Sequence, residues 1–216
     1  MNSAIILAAG KSSRMGLNIP KPYLKINGKL ILDYSITTFL NCDFIDDIIL
    51  VVSKEYINTM KDIYSEIKII EGGNSRKESA YHGLKCCNKN TQNVLIHDAA
   101  RIFIRESLIK SCIDGLKNAD GVTVANLITD TIAKYKNNSI IHMENRDETI
   151  ALQTPQAFKY TKILKAHQNF QGNATDDITL MMQSNYDCKI LLNDKQNLKL
   201  TTESDYQNAI KILNAK

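Results

Sequence analysis

The chain has 216 residues, 44% of them hydrophobic, enough to bury a full core as one domain. Its formal charge is only +4, with acids and bases interspersed and no long Lys/Arg block, which argues against a nucleic-acid-binding role. No apolar run reaches the ~18 residues of a membrane span, and no basic region precedes the apolar start, so it does not read as a signal peptide. Five Cys (Cys42, Cys86, Cys87, Cys112, Cys188) without a C-x-x-C pair read as reduced thiols of a cytoplasmic protein. Four scattered His (His82, His97, His142, His167) argue against a zinc site.

The first element is the apolar run Ala4-Ile5-Ile6-Leu7, a strand that ends in the small residues Ala8-Ala9-Gly10. A loop follows that carries Arg14 and, seven residues on, Lys21. Small residues at a strand end let backbone N–H groups approach a ligand closely, and Arg and Lys on one loop supply charge for phosphates. The pattern points to a nucleoside triphosphate; the plainer alternative is a buried strand followed by a solvated basic loop. It is not a P-loop, because Ile5 stands where the first Gly is required, nor a dinucleotide fingerprint, because only Gly10 and Gly16 are present.

Apolar spacing predicts a helix over 29–40, a strand over 47–52, and a helix capped by Ser53 with Tyr56 and Met60 on one face. A strand over 67–70 ends in Glu71-Gly72-Gly73, a helix runs over 76–87, and a strand over 93–96 ends at His97-Asp98. A helix over 107–116 and a strand over 122–125 follow. Apolar strands separated by helices predict a single α/β domain over 1–216, with a mainly parallel twisted sheet and helices on both faces. Ligands in such sheets sit beyond the strands' carboxyl ends, where the 8–21 loop, Gly72-Gly73 and Asp98 can converge. The segment over about 130–149 reads as a polar β-hairpin arm around Lys136-Asn137-Asn138-Ser139.

Several motifs then occur in order: Ala8-Ala9-Gly10 with Arg14-Met15-Gly16 and Pro20-Lys21, Gly72-Gly73-Asn74-Ser75-Arg76 with Ser79, and His97-Asp98-Ala99-Ala100-Arg101. Gln153-Thr154-Pro155-Gln156-Ala157-Phe158, Thr175-Asp176-Asp177 and Asn197-Leu198-Lys199-Leu200-Thr201-Thr202 complete the set. The whole chain resembles the cytidylyltransferases that act on 2-C-methyl-D-erythritol 4-phosphate in non-mevalonate isoprenoid synthesis, whose fold is a Rossmann-like nucleotidyltransferase. Ribitol-5-phosphate cytidylyltransferases are near relatives that share most of these motifs.

The resemblance implies transfer of CMP from CTP to a polyol phosphate, with release of pyrophosphate. It assigns Arg14, Lys21 and Lys199 to the phosphates and the transition state, and Asp98 to a Mg²⁺ ion or another divalent cation. Backbone at Ala8, Ala9 and Gly10 with Gly73, Asn74 and Ser79 would form the cytosine pocket. Arg146 and Thr154 would grip the polyol phosphate, with Thr175 contributing from within the pocket. Arg101 either contacts substrate or ties down its loop, His97 is structural, and Thr201-Thr202 reads as a helix cap.

In this family the arm exchanges between subunits, which implies a homodimer. Four positions depart from the pattern. Ser12 replaces a frequent Gly; Pro22, in place of Gln, is expected to hold Lys21 extended; Ile102, in place of Pro, loosens its turn; and Asn193 stands near a frequent Gly and tolerates a left-handed turn. CDP-ribitol synthesis and a nucleotide-binding module without turnover are the alternative functions.

Overall fold

The first apolar run forms β1 (Asn2–Leu7), and the chain then builds a sheet outward on both sides of it. The structure is a computed structural model and describes residues 1–10, 19–172, 174–193 and 196–215. After β1 come a short hairpin of β2 (Lys25–Ile26) and β3 (Lys29–Leu30), helix α1 (Ile31–Leu40), β4 (Asp47–Val52), α2 (Ile57–Ile63) and β5 (Lys68–Glu71). The second half runs through α3 (Arg76–Lys85), β6 (Asn93–Asp98), α4 (Glu106–Gly115) and β7 (Gly121–Leu127) to a hairpin of β8 (Ala133–Lys136) and β9 (Ser139–Met143). It closes with β10 (Ile150–Lys159), α5 (Tyr160–Asn169), α6 (Ile178–Gln183), β11 (Cys188–Leu192) and α7 (Glu203–Asn214).

The main sheet has seven strands in the order β11-β7-β10-β6-β1-β4-β5. All neighbours are parallel except β10, which runs antiparallel to β6 and β7. Because side chains alternate along a strand, each central strand feeds two cores. Ala4, Ile6, Leu50 and Leu95 pack with Leu32, Ile36 and Phe39 of α1 and Ile109 of α4 on one face. Ile5, Ile49, Val51 and Ile96 pack with Leu84 of α3, Ile163 of α5 and Met181 of α6 on the other. The chain leaves β1 toward β4 and β5, then returns to β6 on the opposite side, so the strand order reverses beside the carboxyl end of β1. Open sheets of this kind bind ligands at that crevice.

Four expectations are corrected. The helix expected from Lys29 begins at Ile31, because Asn27 (φ 51°) and Gly28 (φ 78°) form a two-residue turn that pairs Lys25–Ile26 with Lys29–Leu30. Asn-Gly is the preferred chemistry for such a turn. Ser53 makes no side-chain cap; Lys54–Tyr56 is a 3₁₀ turn that leads into α2. Lys21 is not extended either: Lys21–Tyr23 is a 3₁₀ turn entered from an extended Pro20, with Pro22 in the first turn, where its missing N–H costs little.

The arm is not a polar one. Its turn, with Asn137 (φ 50°) and Asn138 (φ 60°), carries strands whose Tyr135, Ile140, Ile141 and Met143 are exposed.

At the C-terminus, Thr202 accepts the N–H of Asp205 while the Asp205 carboxylate accepts the N–H of Thr202, a reciprocal cap for α7. Ile26, Ile31, Ile102, Phe103, Leu200 and Ala209 form a third core that holds α7 against the β2–β3 hairpin. Ile102 is therefore anchored by burial where a Pro would have stiffened the turn.

Candidate active site

At the reversal point lies a cavity of about 470 Å³. Its floor is Leu7, Ala8, Ala9 and Gly10, where the end of β1 lets the chain pass close under a ligand. One wall is the turn after β5 and the start of α3, with Gly73, Asn74, Ser75, Arg76 and Ser79. Lys21, Pro22, Asp98, Ala100 and Lys199 complete the lining. Residue types far apart in sequence meet here because β1 and β6 are paired in register, Leu7 opposite Asp98.

The start of α3 is fixed by its own sequence. The Ser75 side chain accepts the N–H of Glu78 at 3.1 Å, and the Glu78 carboxylate accepts the N–H of Asn74 at 2.7 Å. The spacing S-x-x-E produces this cap. Ser79 accepts the N–H of Gly73 at 3.0 Å, which ties the turn to the helix. A Cβ at Gly72 would stand 2.4 Å from the Cβ of Ala9 and 2.9 Å from the Oγ of Ser79. A Cβ at Gly73 would stand 2.2 Å from the Cγ of Glu78. The space left by both glycines is thus taken up by the protein's own packing; the two hold the wall thin and close to the floor.

Asp98 is buried and both its oxygens are paired. Arg76 Nε donates to Oδ1 at 3.2 Å and Lys199 Nζ to Oδ2 at 2.6 Å. Burial pushes the Asp98 carboxyl up, but Arg76, Lys199 and Arg101 outweigh it and hold it well below the usual carboxylate range. Arg76, whose place in the Gly72-to-Arg76 motif gives no hint of a role, also donates through Nη1 to Asp177 at 2.6 Å. Burial alone would lower the Arg76 pKa; the two carboxylates raise it instead. Asp177 is itself held by His167, whose Nε2 donates to it at 2.9 Å.

The remaining candidates fall in distinct places. Lys21 is buried, and its ammonium donates to the Thr201 carbonyl at 3.2 Å. Thr154 is buried behind Asp98 and accepts its N–H at 3.0 Å, outside the residues that line the cavity. His97 completes that support: burial holds its pKa down to about 4, so the ring is neutral. With Nε2 donating to the Arg101 carbonyl at 3.2 Å, its Nδ1 accepts from the Thr154 hydroxyl at 3.3 Å.

Arg101 ties down its loop, donating to the Asn197 carbonyl at 2.9 Å, and does not line the cavity. Asn193 is buried, its side-chain oxygen accepting from Arg105 at 3.1 Å. Thr175 is exposed and not among the lining residues. Arg146 lies at the base of the arm, half exposed, and donates to the Thr129 carbonyl at 3.2 Å. Arg14 and Ser12 lie outside the described residues.

The cavity sets Lys21, Arg76 and Lys199 against Asp98, a balance that suits a polyanion. Among the described residues no cluster of three or more His, Cys, Asp or Glu could cage a metal. A lone ionised carboxylate does fit a hard cation that takes its other ligands from water and phosphate. Asp98 is the lining residue of that kind.

The chain's similarities agree with this chemistry. The family model described as 2-C-methyl-D-erythritol 4-phosphate cytidylyltransferase matches residues 2–215. A Pelagibacter ubique protein named bifunctional enzyme IspD/IspF is 38% identical; the match covers 98% of this chain but 58% of that protein, so the chain spans little more than half its length. A 2-C-methyl-D-erythritol 4-phosphate cytidylyltransferase of Alkaliphilus oremlandii is 35% identical, with 98% of this chain and 94% of that one covered. The crystal structure of 4-diphosphocytidyl-2C-methyl-D-erythritol synthase from Anaerococcus prevotii superposes with a TM-score of 0.87 at 29% identity, covering 99% of this chain and 96% of that one. With the match running the length of the fold and over the cation-lined crevice, the chain belongs to the 2-C-methyl-D-erythritol 4-phosphate cytidylyltransferase family.

Proposed function

We propose that the chain transfers CMP from CTP to 2-C-methyl-D-erythritol 4-phosphate and releases pyrophosphate, a step in isoprenoid precursor synthesis. The observation that carries this is the crevice at the ends of β1 and β6, where Arg76 and Lys199 hold Asp98 and Lys21 lines the same cavity, next to a thin backbone wall. An oxygen of the acceptor phosphate attacks the α-phosphorus, a new P–O bond forms, and the bridging α–β P–O bond breaks with its electron pair leaving on pyrophosphate. The attacking oxygen is already ionised, so no general base is needed, and positioning and charge neutralisation do the catalysis.

Lys21 and Lys199 supply that charge, with Arg14 of the preceding loop as a further cation. The backbone at Ala8, Ala9 and Gly10 and the Gly73–Asn74 turn with Ser79 receive the nucleoside. Asp98 would hold Mg²⁺, which when bound screens the phosphate oxygens and orients them for in-line displacement.

We further propose a homodimer built through the arm, in which Arg146 serves the polyol-phosphate end of the partner's site. Support comes from the exposed apolar side chains of β8 and β9 and from the position of Arg146 away from its own chain's cavity. Five free thiols among the described residues suit a reducing cytoplasm, and no described helix is long and apolar enough to cross a membrane.

The test is to incubate the purified chain with CTP and Mg²⁺ and offer methylerythritol phosphate and ribitol 5-phosphate separately. Pyrophosphate and CDP-methylerythritol are expected with the first acceptor. Turnover only with the second would reassign the acceptor, and none with either would overturn the proposal.

A further inference from the structure

Asp98 has two cationic partners that are held very differently. Lys199 reaches Oδ2 from a long side chain that is 38% exposed. Its ammonium donates to that oxygen at 2.6 Å. Arg76 reaches Oδ1 as one prong of a fork whose other prong sits on Asp177 at 2.6 Å.

Asp177 cannot follow Arg76 outward. Its side chain is 1% exposed and its other oxygen accepts from His167, which is equally buried and stacked on Tyr81 of α3. Its backbone N–H and that of Ile178 are both taken by the Gln156 side-chain oxygen, at 3.0 and 3.1 Å. The Gln156 amide group in turn donates to Thr123 at 3.0 Å. The fork is therefore anchored to α5, α6, β7 and β10 at once, whereas Lys199 reaches the carboxylate from a long, partly exposed side chain.

We infer that Arg76 is a positioning residue, clamped from behind by Asp177 and His167, which keeps Oδ1 of Asp98 occupied so that Lys199 is the exchangeable partner and Oδ2 is the oxygen released to an incoming ligand. This rests on the proposed reading of the crevice as a nucleoside triphosphate site. When the triphosphate enters, Lys199 transfers from Oδ2 to a phosphate oxygen, and Asp98 offers a single, fixed oxygen to a cation carried on the phosphates. An arginine is needed for this because its planar fork spans two carboxylates in fixed geometry, whereas a lysine is a single rotatable point charge. The sequence carries the same requirement: Arg76 is the first residue of α3, placed by the Ser75–Glu78 cap.

The test is binding of Mn²⁺ at saturating CTP, read by equilibrium dialysis as the metal retained by the protein above that in a protein-free CTP control, with CTP binding measured separately without metal. Near-UV circular dichroism establishes that each variant is folded. Arg76→Lys keeps the charge and breaks the fork; it is expected to weaken Mn²⁺ binding about 10- to 100-fold, the usual effect of removing a partner that orients a ligand, with much less change in metal-free CTP binding. Asp177→Asn loosens the same clamp from behind and should act in the same direction, which keeps the test open if Arg76→Lys does not fold. Lys199→Met leaves Oδ2 free but also removes a phosphate contact, so metal-free CTP binding should weaken and turnover fall, while Mn²⁺ binding at saturating CTP stays near wild type. Wild-type Mn²⁺ affinity in a folded Arg76→Lys or Asp177→Asn variant would overturn the inference. Failure of the wild-type chain to bind Mn²⁺ with CTP would instead overturn the reading of the crevice on which it rests.

Discussion

The hydroxyl of Thr154 accepts the backbone N–H of Asp98 at 3.0 Å, so the carboxylate at the end of β6 is aimed by the neighbouring antiparallel strand β10. The hydroxyl is buried and its proton goes to His97. Thr154→Val keeps the shape and removes both bonds, leaving the Asp98 N–H unsatisfied. A loss of about 1–3 kcal/mol is expected in urea unfolding. Turnover should fall because Asp98 loses its aim, while KM for the polyol phosphate changes little. A large rise in that KM at unchanged kcat would put Thr154 in contact with substrate.

Lys21 is buried with its ammonium on the Thr201 carbonyl, close to where charge builds on the α-phosphate in the proposed reaction. Lys21→Met should lower kcat about 10²- to 10³-fold, the magnitude found when a preorganised transition-state donor is removed. Stopped-flow turnover with folding checked by circular dichroism measures this. Near wild-type kcat would remove Lys21 from the phosphate site.

Gly72 packs so closely on Ala9 and Ser79 that no room is left for a methyl group. Gly72→Ala should cost about 1–3 kcal/mol of overpacking and push the wall into the nucleoside space, raising KM for CTP far more than for the polyol phosphate. Gly73→Val acts differently: its Cβ displaces the Glu78 side chain from the Asn74 N–H before α3, so thermal stability should fall along with CTP binding. Unaltered melting of Gly73→Val would show that Glu78 can step aside.

The layered architecture was legible because apolar runs such as Ile48–Val52 are buried on both faces, a pattern that only a covered, mainly parallel sheet satisfies. The meeting of Ala8–Gly10, Lys21 and Asp98 at one cavity was legible for a related reason, since strand ends in such a sheet converge, whereas Lys199 was placed there by the family resemblance. Arg76 and Asp177 were not assigned, because their importance lies in a pairing across 101 residues that no local spacing reveals. The β2–β3 hairpin had a signal, Asn27-Gly28, overshadowed by the helical spacing that follows it. The apolar faces of β8 and β9 were hidden among Lys, Asn and His; only the observed register shows that Tyr135 and Ile140 are paired and left uncovered.

Asp177 gives the fold a specific acid sensitivity. Burial raises its carboxyl, but Arg76 and the His167 hydrogen bond more than offset this and hold its pKa below the ordinary value. The folded value thus lies below the unfolded one of about 3.9, so the contribution is complete above that pH and is lost as pH falls through the folded value. Asp177→Asn should cost about 3–5 kcal/mol near neutral pH, the usual cost of breaking a buried pair. The gap between wild type and variant in urea unfolding should narrow below about pH 4. A gap that stays constant on acidification would mean that the Asp177 carboxylate contributes no pH-dependent stability.

The arm offers the sharpest test of assembly. Tyr135 is 75% and Ile140 69% exposed, apolar surface that an isolated chain leaves in water. Arg146 at its base donates to the Thr129 carbonyl at 3.2 Å and stands 3.8 Å from the Asp147 carboxylate. If the arm docks on a second copy, Arg146→Ala should raise KM for the polyol phosphate much more than KM for CTP. Mixing inactive Arg146→Ala chains with inactive Lys21→Ala chains should restore activity, because one of the two composite sites in a heterodimer pairs an intact Arg146 with an intact Lys21. Subunit exchange is followed by mass spectrometry of the mixed species. Verified exchange without any recovery would mean that the arm does not complete a partner's site.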